Sequence, residues 1–185
     1  MTNWHVITGG PSSGKTTMIR LLAQRGYCTT IEHARHLIDT QRITGRTVDE
    51  IRSNQREFQR AVLMMQLQQE QALDPDELCF LDRALPDSLA YYRYLELEPE
   101  PELLAALKTA SYRKVFALDL LPLAKDYART ESVLAQHRIH ALLIEVYEEL
   151  GCVVEKVPVL PVEARLEFIL SRVTMPPALS RSSAT

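Results

Sequence analysis

The sequence predicts an α/β fold in three layers, a five-stranded parallel sheet with helices on both faces. Two observations predict it. Short apolar runs alternate with longer segments of helical periodicity along the chain, as expected of strands buried on both faces and joined by helices. A glycine-rich stretch, GGPSSGKT, follows the first apolar run and opens the first helical segment.

Five short runs read as strands: residues 4–8, 27–31, 78–81, 114–118 and 153–157. They are mostly apolar without strict alternation, which suits strands covered on both sides. The first helix starts in the glycine-rich stretch and runs to Arg25, where Gly26 stops it. A second helix covers about 34–41. A long third one follows Thr47, which with Glu50 has the spacing of a capping box. In it Phe58, Ala61, Val62, Met65 and Ala72 repeat at helical spacing, and Asp74-Pro75-Asp76 ends it. Helices near 88–96 and 102–110 follow. A further helix carries the stripe Ile139, Leu142, Leu143, Val146, Tyr147 and Leu150 and ends at Gly151. Pro161 opens the last helix, with Val162, Leu166, Ile169, Leu170 and Val173 facing inward.

At 185 residues the chain fits one α/β domain, residues 1–175, with a Pro-, Ser- and Ala-rich tail at 176–185. A net charge of −3 gives no general attraction to nucleic acid or to an anionic membrane. Cys28, Cys79 and Cys152 are far apart and odd in number, so they read as reduced thiols of a cytoplasmic protein. The N-terminus lacks the pattern of a signal peptide, and no apolar run is long enough to span a membrane.

Gly9 to Thr16 match G-x-x-x-x-G-K-[ST], the P-loop of nucleoside triphosphatases, in the strand–helix context that the motif requires. Glycines let the backbone turn tightly and approach phosphate oxygens. Successive N–H groups of Gly9, Gly10, Pro11, Ser12, Ser13, Gly14, Lys15, Thr16 and Thr17 (Pro11 excepted) then line one concavity at a helix N-terminus. Lys15 would reach the β- and γ-phosphates, and the Thr16 hydroxyl would sit on Mg²⁺. The apolar run Leu78-Cys79-Phe80-Leu81 ends in Asp82, as a Walker B strand does. Asp82 would face Mg²⁺ directly or through water, or deprotonate an acceptor hydroxyl.

Several P-loop classes are set aside by missing motifs. There is no GTPase DxxG or N/T-K-x-D pair and no LSGGQ signature, and the chain is too short for an AAA+ lid domain. The kinase plan remains: a helical substrate insert at about 32–76, Asp-Arg at the third strand, and an arginine-bearing lid at about 121–131. Arg129 is the lid cation expected on the transferring phosphoryl group, with Lys125 and Arg138 as weaker candidates and Asp126 as an orienting partner. Any of these reads equally as a solvated surface charge.

The segments GGPSSGKTT, Glu32-x-x-Arg35, FLDRALPDSLAYY, Asp119 to Arg129 and VYEELGCVVEKVPVLPVEAR together resemble a P-loop ATPase/kinase family grouped with nicotinamide riboside kinase-like proteins. The resemblance covers about residues 4–173. It implies a P-loop NTPase, nucleotide-kinase-like fold of sheet order 2-3-1-4-5 with ATP or GTP as donor. Many such proteins have Gly after the Asp-Arg pair, where this chain has Ala84. The plan is also similar to deoxynucleoside-kinase-like enzymes, in which an acid at the place of Glu32 acts as base toward the substrate hydroxyl. Arg35 lies one turn later on the same helix face, and Arg83 and Asp87 read as substrate contacts. A Glu capping a helix with an i, i+3 Arg partner needs no function at all.

The pairs His33/His36 and His137/His140 have i, i+3 spacing, but no carboxylate or cysteine completes a ligand set. Tyr91, Tyr92 and Tyr94 read as packing residues before base-stacking ones, and the run 66–71 as a solvated helix face. The expected function is ATP–Mg²⁺-dependent transfer of a phosphoryl group to a small hydroxyl compound. The alternative is a slowly hydrolysing regulatory module with a protein or lipid partner. Oligomeric state is not readable from the residues.

Overall fold

The computed structural model describes residues 1–123 and 132–173. Its sheet comprises β1 (Trp4–Thr8), β2 (Cys28–Thr29), β3 (Cys79–Asp82), β4 (Lys114–Leu118) and β5 (Val154–Val157). All pairings are parallel, in the order β2-β3-β1-β4-β5. β1 lies at the centre, so the segment that leaves it is flanked by the C-terminal ends of β3 and β4. Ile7 is registered with Asp82 on one side and Phe116 on the other.

Strand side chains alternate between two cores. Ile7, Phe80, Phe116, Leu118 and Val157 pack with Met18, Leu22, Leu166 and Ile169, under α1 (Lys15–Gln24) and the last helix, Val162–Leu170. Trp4, Val6, Cys79, Leu81 and Val115 point the other way, onto Ala84, Tyr112 and Tyr147. The three inner strands, β1, β3 and β4, therefore bury both faces, which is why their residues read as apolar runs without strict alternation.

Between β2 and β3 stand α2 (His33–Ile43), α3 (Val48–Arg52) and α4 (Gln55–Ala72). The capping box forms: Thr47 Oγ1 accepts from the Glu50 N–H, and the Thr47 N–H donates to Glu50 Oε2 at 2.7 Å. The expected single long helix is two, because Asn54 caps a new one by accepting from the Glu57 N–H. The buried face of α4 also differs from expectation. It carries Phe58, Leu63, Gln66 and Glu70, while Ala72 is exposed. The run 66–71 is thus not simply a solvated face. Gln66 Nε2, the Leu85 N–H and Tyr112 Oη all donate to the Glu70 carboxylate, at 2.8, 3.0 and 2.8 Å.

The next elements are α5 (Leu85–Tyr94), α6 (Pro101–Leu107), α7 (Val133–Glu149) and α8 (Val162–Leu170). α5 starts three residues earlier than its periodicity suggests, because the Ala84 N–H is taken by Asp87 Oδ2 at 3.2 Å and Pro86 suits a first turn. β2 shrinks to two residues at the sheet edge. On α8 the inward face begins at Arg165 and Leu166, and Val162 is 48% exposed.

Candidate functional site

The chain leaves β1 through a loop whose backbone only small residues permit. Gly9 has φ of 141° and Gly14 of 89°. A Cβ at Gly9 would lie 2.7 Å from the Leu118 carbonyl oxygen, so even alanine there displaces the neighbouring strand end. Ser12 also sits at positive φ, 57°. Gly10, the first residue after Gly9, gives its N–H to His140 Nδ1 at 3.2 Å. Pro11, Ser12 and Ser13 are buried, Thr16 is exposed and Thr17 half-buried.

Lys15, the first residue of α1, folds back over this loop. Its Nζ donates to Gly9 O at 2.7 Å, Gly10 O at 3.0 Å and Ser13 Oγ at 3.2 Å. Burial lowers its pKa to about 7; nearby Arg83 pushes the same way, opposed by Glu32, Asp82 and Asp87. The ammonium is held by neutral oxygens that a triphosphate would outcompete as a partner.

Asp82 ends β3 beside this lysine. Its N–H donates to Thr30 Oγ1 at 2.8 Å, while its carboxylate Oδ1 is buried with no hydrogen-bond partner. Burial raises its pKa to about 7, with Glu32 adding to the rise and Lys15 opposing it. An orphaned carboxylate oxygen is an unsatisfied acceptor that a cation would relieve. Asp82 and the Thr16 hydroxyl both offer the hard oxygen donors that Mg²⁺ favours, so the chemistry of these residues fits that ion.

Arg83 follows at φ 70°. The left-handed turn carries its guanidinium toward α2 and α5. Nε donates to Glu32 Oε1 at 3.3 Å, Nη1 donates to Asp87 Oδ1 at 3.0 Å, and the group lies 5.3 Å from the Tyr91 ring centroid. Asp87, 2% exposed, also accepts from Thr8 Oγ1 at 2.7 Å and Tyr147 Oη at 2.6 Å. With the Ala84 N–H it has four donors, which occupies its carboxylate fully. Glu32 lies 3.9 Å from Arg35 Nε as well.

A cavity of about 370 Å³ opens beside the loop. Glu32, Arg35, Arg83 and Asp87 line it together with Pro11. Ile38, Phe58, Val62, Tyr91 and Ile139 supply apolar wall, and His33, Gln55 and Gln59 polar wall. His33 is 6% exposed and neither ring nitrogen has a hydrogen-bond partner. A volume of this size, mostly apolar with a few polar groups, suits a small-molecule ligand. Tyr91 and Tyr94 line it too, whereas Tyr92 is fully buried elsewhere in the core.

The predicted P-loop, Asp82, Glu32, Arg35, Arg83 and Asp87 are thus brought together. Arg129, Lys125 and Asp126 lie outside the described residues, and Arg138 is an exposed residue of α7. Among the described residues no group of three His, Cys, Asp or Glu side chains is placed to hold a metal.

Sequence reasoning missed Gln136, His140 and Arg165, which all touch the P-loop, and Tyr147, which touches Asp87. A signal existed for three of them. Gln136 and His140 continue the stripe of Ile139, Leu143 and Tyr147 along α7, and polar groups on a buried stripe need partners.

The family described as AAA domain matches residues 4–165. No curated protein matches the chain. Deoxyadenosine kinase from M. mycoides with bound dCTP superposes with a TM-score of 0.66 at 13% identity, covering 92% of this chain and 98% of its own. NadR protein in complex with NR gives 0.68 at 16%, covering 95% of this chain and 52% of its own. Thymidylate kinase from Ehrlichia chaffeensis gives 0.60 at 13%, covering 92% and 98%. At such identities the likeness is one of fold.

Proposed function

This chain belongs to the AAA domain family of P-loop proteins, and from that premise we propose that it is an ATP–Mg²⁺-dependent small-molecule kinase. The acceptor is a hydroxyl compound of the nucleoside or riboside class, and GTP is the alternative donor. The observation that carries this reading is the 370 Å³ cavity bordered by Pro11 of the P-loop, Glu32 and Arg83. A nucleotide switch needs no acceptor-sized chamber beside the γ-phosphate position. The kinases of nucleosides and nucleotides among proteins of like fold support the same reading.

In this reading the loop from Gly9 to Thr17 binds the triphosphate and Lys15 moves from its carbonyls onto the phosphates. Thr16 and Asp82 would hold Mg²⁺, which supplies charge neutralisation of the phosphoryl oxygens. Glu32, half-buried and paired with Arg83, or Asp82, whose pKa burial raises to about 7, takes the proton of the attacking hydroxyl. Arg35 and Arg83 orient the acceptor, Asp87 holds Arg83 in place, and Arg129 closes on the developing charge. The remaining catalysis is positioning within a closed site. The working unit is one domain over 1–175, with the insert at about 32–76 serving the substrate and the segment at about 121–131 serving as the lid. The site of action is the cytoplasm, where Cys28, Cys79 and Cys152 stay free thiols. Among the described residues no helix is long and apolar enough to cross a membrane.

The test is a screen. The protein with ATP–Mg²⁺ is incubated with pooled nucleosides, ribosides, vitamins and sugar alcohols, and products are read by mass spectrometry. A phosphorylated acceptor that Lys15→Ala abolishes supports the kinase. Nucleotide binding without any product moves the assignment to the regulatory alternative.

A further inference from the structure

Three consecutive carbonyls of the P-loop are held from outside by three different segments. Gln136 Nε2 in α7 donates to Pro11 O at 2.8 Å. The Leu121 N–H donates to Ser12 O at 3.0 Å. Arg165 Nη1 in α8 donates to Ser13 O at 2.7 Å. The described peptide bonds are all trans, and across a trans peptide the C=O of one residue and the N–H of the next point in opposite directions. Fixing the carbonyls of Pro11, Ser12 and Ser13 outward therefore turns the N–H groups of Ser12, Ser13 and Gly14 inward, the direction from which a phosphate is bound.

Gln136 and Arg165 are each 2% exposed, and neither acts on the loop alone. Gln136 Nε2 also donates to Leu121 O at 3.1 Å. Arg165 Nε donates to Pro158 O at 2.9 Å and Nη2 to Asp119 O at 2.8 Å. The guanidinium thus joins the loop to the chain leaving β4 and β5. It forms no ion pair among the described residues. Burial works against its charge and Asp119 nearby partly offsets that cost, so an incoming anion would stabilise it further. Its Nη1 lies 3.2 Å from where a Cβ at Gly14 would stand, so the charge lies directly against the backbone that would bear the phosphates.

We propose that Gln136 and Arg165 are positioning residues of the nucleotide site. They hold the loop's peptides in the phosphate-binding orientation before the nucleotide arrives, and Arg165 adds a buried positive charge behind them. Neither need touch the nucleotide. A loop prearranged in this way is not reorganised on binding, which is the source of strong electrostatic stabilisation in a site excluded from water. The inference rests on the reading of residues 9–17 as a triphosphate site.

Gln136→Leu keeps the side chain's size without its donor, and Arg165→Lys keeps the charge without the three-way fork. Titration of each with ATP–Mg²⁺ is expected to give affinity at least about tenfold below wild type, the loss of one charge-assisted or buried hydrogen bond. Amide exchange at Ser13 and Gly14 in the nucleotide-free protein is expected to quicken in both, while exchange in the core of α4 is unchanged. A general loss of packing would quicken both regions together. If Arg165→Lys fails to fold, Gln136→Leu alone decides. Folded variants that bind ATP–Mg²⁺ as tightly as wild type overturn the positioning role and leave the nucleotide site standing. Failure of the wild-type chain to bind any nucleoside triphosphate overturns the nucleotide site, and this inference with it.

Discussion

The phenol of Tyr147 donates to Asp87 Oδ2 at 2.6 Å, and through that carboxylate the last turn of α7 is tied to Thr8 and Arg83. Thr8 immediately precedes the P-loop and Arg83 borders the cavity. One buried carboxylate thus fixes the spacing between the two halves of the site.

Tyr147→Phe removes that donor and keeps the ring. Hydrogen bonds to charged groups contribute about 1.5–3 kcal/mol, so urea denaturation is expected to show a loss of that order. Turnover should fall with it, because Arg83 loses a fixed partner. A stability change below about 0.5 kcal/mol would contradict the assignment of Asp87 as the joint.

Asp82→Asn is expected to separate stability from activity. The wild-type carboxylate is buried with one oxygen unsatisfied, so the neutral amide should fold at least as stably. Phosphoryl transfer should drop by two orders of magnitude or more, by roughly the size of one lost electrostatic contact. Thermal melting and steady-state assays on one preparation check both. Retained turnover would remove Asp82 from the mechanism.

Glu70→Ala should be among the most damaging changes outside the site. It leaves the Leu85 N–H, Tyr112 Oη and Gln66 Nε2 without their acceptor. Each buried orphan costs about 1–3 kcal/mol, so the variant is expected to lose about 3 kcal/mol or more. Glu70→Gln, which keeps an acceptor oxygen, should lose less. Equal losses would show that the network contributes through shape alone.

Acid should destabilise the protein through its buried histidines. His5, 1% exposed between the rings of Phe80 and Phe116, has its pKa lowered by burial from 6.5 to about 4. Between those values the unfolded chain binds a proton that the folded chain refuses, so stability falls as pH drops from about 6.5 to about 4. His33 and His140, both lowered first by burial, act with the same sign. Asp82, whose folded pKa is raised to about 7, acts with the opposite sign, so the test is a difference: as pH drops from about 6.5 to about 4, the denaturation midpoint of wild type should fall relative to that of His5→Phe. A constant difference between the two midpoints would exclude His5 as a contributor.

Fold class and P-loop were legible because they are local. The strand–glycine–helix junction and apolar runs without alternation are patterns within a few residues, and sheet order followed from the family that the chain resembles. What escaped is long-range. Nothing near Gln136 or Arg165 reveals that each ends on a P-loop carbonyl, more than a hundred residues away in the chain. Glu70 was read as part of a wet face because charge usually marks solvent; its partners Leu85 and Tyr112 come from elements that meet it only in the folded chain. The split at Asn54 was missed for a different reason. A polar cap inside a helical pattern matters only once the chain bends there.

The central claim is tested most directly by following the γ-phosphoryl group of ATP labelled at that position, with Mg²⁺ and the pooled hydroxyl compounds present. The account predicts that the label appears in an organic phosphate much faster than in inorganic phosphate, and in neither with Lys15→Ala. Label appearing only as inorganic phosphate, at a rate the pool does not change, would contradict a kinase.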